Sequence, residues 1–92
     1  MSDTSATDSS LHRLHVHQTL DVRGNIRAEG YRLALERLKA MGEDEVLELY
    51  LDEGDLLETI PYGLRAEGHE ILVSEPVKEG VRLLVRKRAP LL

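Results

Sequence analysis

The sequence predicts an α/β (α+β) two-layer sandwich in the order β-α-β-α-β-β, a mixed four-stranded sheet with two helices on one face. Three observations lead there. Apolar residues alternate between strand period and helix period along the chain, then stay at strand period at the end. The apolar supply is aliphatic, with no Phe or Trp and three Tyr in 92 residues, which suits one sheet covered on one side. The breakers Gly24, Gly42, Gly54, Gly68 and Gly80 fall between the periodic stretches.

Each element has its own reason. Leu14, Val16, Leu20 and Val22 predict a first strand, with His15 and His17 on its other face and Gly24 ending it. From Ala28 to Met41 the spacing of Tyr31, Ala34, Leu35, Leu38 and Met41 traces one stripe of a helix. Gly42 is its natural stop, and Lys39 near that end suits the helix dipole. Val46–Leu51 alternates through Glu48 as a second strand. The acidic turn 52–55 leaves it, with Asp55 placed to cap a helix whose stripe is Leu57, Ile60 and Leu64. Pro61 breaks the rule for helix interiors, so regular helix is expected to begin near it or to follow an irregular first turn. Glu70–Val73 is a third strand, 75–80 a turn, and Val81, Leu83 and Val85 mark a fourth. A helix between the first two strands makes them parallel, and the short turn makes the last pair an antiparallel hairpin.

Residues 1–10 contain almost nothing apolar, so residues 1–12 read as a flexible tail and 13–90 as one domain. The formal charge of -5 argues against nucleic acid as a partner. The basic run Arg86-Lys87-Arg88 is too short to reverse that reading. No apolar run is long enough for a membrane span, and no signal peptide is visible at the start, which makes cytoplasmic the expectation.

Several short motifs, in order, resemble the TusA-like (SirA-like) sulfur-carrier family. Leu20-Asp21-x-x-Gly24 is similar to that family's opening motif, and Leu38-x-x-Met41 falls where its first helix ends. Ile60-Pro61 is similar to its Asp-Ile-Pro signature, with Thr59 in place of the Asp. Gly68-His69-Glu70 and Leu84-Val85-Arg86-Lys87 complete the resemblance, which spans about residues 13–88. It implies the same β-α-β-α-β-β sandwich, and a persulfide carried on a cysteine before the first helix. Here the family's Cys-Pro-x-Pro positions read Arg27-Ala28-Glu29-Gly30, and the chain has no Cys at all. An arginine cannot hold a persulfide, so the implied sulfur-transfer activity does not carry over and no catalytic residue is assigned.

Two functional expectations follow. The first is a non-catalytic TusA-like module that docks a protein partner, in a sulfur-handling or regulatory setting, through the surface around the start of the first helix, with Leu56 and Tyr62 among its contacts. The second is a small-anion or metabolite site centred on Arg27, with Arg23 and Arg32 nearby in sequence and Gly24 and Gly30 allowing close backbone approach. Its plain alternative is an exposed Arg27 paired with Glu29 or Asp21. His15 and His17, joined by His12 or His69, have ligand chemistry for a metal, although solvent-facing strand histidines are common. No cofactor is expected. The carboxylates between Glu43 and Asp55 read as a solvated face.

Overall fold

A computed structural model describes residues 15–53 and 55–88, with the side chains of residues 27 and 55–58 outside that description. The expected tail, His12, Leu14 and the side chains of Arg27 and Leu56 therefore lie outside the described residues.

The chain forms β1 (Gln18–Asp21), α1 (Arg27–Ala40), β2 (Val46–Leu51), α2 (Asp55–Ala66), β3 (Glu70–Val77) and β4 (Gly80–Arg86). The sheet order is β1-β2-β4-β3. β1 and β2 are parallel, with Leu20 opposite Leu49, and β4 runs antiparallel to both of its neighbours. β3 is therefore parallel to β2, and the hairpin strand β4 fills the gap between them. That is a split β-α-β arrangement.

Period-two alternation decides which face of the sheet is covered. Leu47, Leu49 and Leu51 of β2 and Val81, Leu83 and Val85 of β4 join Ala34, Leu38, Ile60 and Leu64 from the helices in one buried cluster. Each large aliphatic buried there contributes about 1.5–3 kcal/mol. Glu48, Tyr50 and Arg82 stand on the other face. The helical stripe is as expected: Ala34, Leu38 and Met41 are buried, with Tyr31 and Leu35 half-buried at its margin.

Four local expectations change. β1 begins only at Gln18; before it, His17 spans to β2, donating its N–H to Val46 O (2.9 Å) and accepting the Val46 N–H on Nδ1 (3.0 Å). α1 ends at Ala40, with Met41 extended rather than a left-handed glycine at 42. Its terminal carbonyls are instead capped from the sheet, where Lys87 Nζ donates to Leu38 O (2.5 Å) and Met41 O (3.1 Å). α2 is helical from Asp55 straight through Pro61, which is buried at the seventh helical residue. β3 continues to Val77, so the turn narrows to Lys78-Glu79. Pro76 is tolerated there because β3 is an edge strand with no ladder to complete on its outer side.

Gly80 anchors that narrow turn. Its φ is +155°, and a Cβ there would sit 2.3 Å from Leu51 O. Only glycine fits so close to the β2 backbone.

Candidate functional site

The chain enters α1 through the turn Val22–Ile26. Gly24 adopts φ +88°, and its N–H donates to Asp52 Oδ2 at 2.8 Å. That bond ties the β1–α1 turn to the β2–α2 turn at the C-terminal ends of the two parallel strands. Asn25 closes the turn by donating from its backbone N–H and its Nδ2 to Val22 O, both at 3.2 Å. Ile26 then caps α1 with extended backbone and no side-chain hydrogen bond, and its carbonyl accepts the Gly30 N–H.

Behind this entrance the helices pack closely through two glycines. Gly30 is buried, facing Val22 and Ile60 at 3.4–3.7 Å from where a Cβ would stand. Gly63 lies under the Tyr31 ring, 2.7 Å from a hypothetical Cβ. Beside that contact is a hollow of about 490 Å³ walled by Ala28, Tyr31, Thr59, Tyr62 and Gly63. Ile26 and Tyr62 are the large apolar residues left most open among the described residues, 75% and 74% exposed. Tyr31 is half-buried, and burial together with the Glu67 charge pushes its phenol above the ordinary range.

Two of the three arginines proposed for an anion pocket, Arg23 and Arg32, are each engaged by carboxylates. Arg23 is held bidentately by Asp21, Nε to Oδ1 at 3.0 Å and Nη2 to Oδ2 at 2.8 Å. Its guanidinium also lies 5.1 Å above the Tyr50 ring. Arg32 is occupied along α1 by Glu29 and Glu36. Thus the carboxylates suggested for Arg27 are engaged by its neighbours. Gly30 faces the core, so of the two glycines only Gly24 lies open.

Of the histidines, His69 stands apart from the His15/His17 pair, and His12 lies outside the described residues. His15 and His17 stack edge to face with ring centroids 4.6 Å apart. His69 precedes β3 at the opposite edge of the sheet, three strand spacings or about 14 Å away. Its Nδ1 accepts the Arg88 N–H at 3.2 Å, and burial plus the Lys87 charge hold its imidazole below the ordinary range. Among the described residues no three ligating side chains gather as a metal site.

The uncovered face of the sheet satisfies itself. Glu48 accepts from Thr19 (2.9 Å), Tyr50 (3.1 Å) and Arg82 (2.6 Å), while Arg82 also reaches Glu75 (2.7 Å). Every strand takes part, β2 with both Glu48 and Tyr50. These bonds, above all the one from Arg82, hold the Glu48 carboxyl below its usual range. Arg86 pairs with Glu70, and Arg88 lies among Glu43, Asp44 and Glu70. The basic run 86–88 is thereby spent on acids and on the end of α1.

No family model and no curated protein matches the chain. No described helix is long and apolar enough to cross a membrane.

Sequence reasoning named Tyr62 as a candidate contact but missed the hollow that it lines. The signal was present: Tyr31 and Gly63 are a large and a zero-size side chain on the two facing helical stripes, a pairing that lets helices approach closely.

Proposed function

We propose that this protein is a docking module of TusA-like form that binds a protein partner through the mouth of the hollow between α1 and α2. The observation that carries the reading is the placement of Ile26 and Tyr62. Both are about three-quarters exposed, and Ile26 lies two residues before Ala28, which shares the hollow's wall with Tyr62. Exposed aromatic anchors beside a pocket are the usual energetic centre of a protein interface. The other broad face, the outer side of the sheet, is covered by paired charges. A cysteine-borne persulfide is not available to a chain without cysteine, so the family's face is used here for recognition. A sulfur-handling or regulatory setting follows from the resemblance alone.

The test is capture from the native lysate with the wild type, Tyr62→Ala and Ile26→Ser as baits. A specific partner held by the wild type and lost from both variants supports docking. A partner retained equally by all three removes this face from the reading.

The anion reading centred on Arg27 has one favourable observation, the missing side-chain cap at Ile26. Sulfate, phosphate or thiosulfate shifting the amides of residues 27–30 in the wild type but not in Arg27→Glu would restore it.

A further inference from the structure

We infer that His17 and His69 form a pair of acid-sensitive fasteners, which hold the two edge strands to the sheet at one end and release there when their rings are protonated. The edge strands are β1 and β3, and each histidine immediately precedes its strand. His17 Nδ1 accepts the N–H of Val46, the first residue of β2, at 3.0 Å. His69 Nδ1 accepts the N–H of Arg88, just past the end of β4, at 3.2 Å. In the register Gln18 lies opposite Leu47, and Arg86 lies opposite both Val46 and Glu70. Both contacts therefore fall at the same end of the sheet. There an imidazole nitrogen takes the place that a strand carbonyl takes elsewhere in the ladder. A carbonyl keeps its lone pairs at any pH of interest, whereas Nδ1 accepts only while it carries no proton. Protonation turns each acceptor into a donor aimed at another donor.

The two contacts differ in what is left once the ring is charged. His17 still donates its own N–H to Val46 O, so β1 keeps one bond. The β3–β4 ladder ends at Glu70 and Arg86, so the His69 ring is what fastens the Arg88 backbone to the β3 side. Lys87 and Arg88 from the end of β4, Glu67 from the end of α2 and Glu70 of β3 are the charged groups about His69. Burial and the Lys87 charge disfavour its protonation, and Glu67 opposes them more weakly. Glu70 is shared between Arg86 and Arg88. Beside His17 stands His15, its ring 4.6 Å away. Arg37 of α1 donates to the neighbouring Gln18 at 3.2 Å. Of the carboxylates flanking Val46, Glu45 accepts the Gly42 N–H and Glu48 accepts from Thr19.

Because His69 is held below the ordinary imidazole range, its contribution to stability is complete above the unfolded value of about 6.5 and is lost as pH falls through the folded one. Lys87 carries the effect into the helical layer. Its backbone is bonded to Asp44 and Glu45, and its Nζ caps α1. Acid thus loosens the sheet end that caps α1, whereas the hollow lies at the start of that helix.

A pH titration of the isotope-labelled full chain, read by NMR at the imidazole rings and the backbone amides, tests the fasteners. The neutral rings of His17 and His69 should carry their proton on Nε2, leaving Nδ1 free to accept. The Val46 amide should shift with the midpoint of the His17 ring and the Arg88 amide with that of His69. Across the His69 titration the Arg88 amide should lose about fivefold of its protection from hydrogen exchange, relative to the unfolded chain at each pH, the factor expected for one intramolecular hydrogen bond. His69→Asn offers an acceptor that does not titrate, so Arg88 should then stay protected through the same range. Rings that titrate while both amides stay flat overturn the fasteners, as does a neutral ring protonated on Nδ1. One amide following its ring without the other overturns the pairing of the two edges. The wild-type titration decides the matter even if His69→Asn does not fold, and none of these outcomes bears on docking at the hollow.

Discussion

Glu48 shows how much one side chain can organise on an uncovered sheet. It is 17% exposed and gathers donors from three strands, with Arg82 extending the chain of contacts to the fourth. Its carboxyl titrates below the ordinary glutamate range of about 4.3 because Arg82 and two hydroxyls favour the charged form. A depressed folded-state value means that this stabilisation is fully present above the unfolded pKa and disappears as pH falls through the folded one. Glu48→Gln should therefore cost about 1 kcal/mol near neutral pH, and the cost should shrink as pH falls below the ordinary glutamate range and through the depressed folded-state value. Chemical denaturation at a series of pH values measures it; a cost independent of pH would sever the link to ionisation. Gly80 makes a second residue-scale prediction. A Cβ there meets Leu51 O at 2.3 Å and adopts a φ that only glycine tolerates, so Gly80→Ala should lower stability by about 3 kcal/mol. Unchanged melting would show that the hairpin can shift away from β2.

At the level of elements, the helices and strands follow from the placement of apolar residues, while their ends depend on distant partners. The α1 stripe from Tyr31 to Met41 and the alternation in Val46–Leu51 were readable because each repeats a local period. The end of α1 was not, because its cap is Lys87, nearly fifty positions away and brought there only by the β2–β4 pairing. Lys87→Met should cost about 1 kcal/mol through the uncapped carbonyls. It should also raise the His69 pKa toward its ordinary value, since the Lys87 charge is one of the two causes that depress it. Imidazole proton shifts across a pH titration give both folding and His69 readouts on one sample. No change at His69 would place Lys87 away from that ring. Pro61 teaches the same lesson in reverse. Its residue type forbids an α-helix interior in isolation, yet α2 passes through it with the ring buried, where tertiary packing outweighs local preference.

The whole molecule has two unlike surfaces. The outer sheet face is a lattice of paired charges from Asp21 to Arg88, and the helix side carries a hollow lined by Ala28, Tyr31, Thr59, Tyr62 and Gly63. Fold class was legible from period and composition, because a chain with few aromatics and one strongly alternating strand has few other ways to bury its leucines. The site was legible only in part. Tyr62 and the start of α1 were named as candidate contacts, but sequence proximity does not reveal that Asp21, Glu29 and Glu36 already hold Arg23 and Arg32. The hollow is a product of two helices crossing and has no contiguous sequence signature. The measurement that bears most directly on docking as the protein's role is the affinity of its captured partner for the wild type and for Tyr62→Ala, with thermal melts of both proteins alongside. Tyr62 is 74% exposed, so its truncation should change stability by no more than about 0.5 kcal/mol, while an interface anchor should cost the complex tenfold or more, about 1.4 kcal/mol or above. Equal affinity in two equally stable proteins would contradict the account and return the function of this face to an open question.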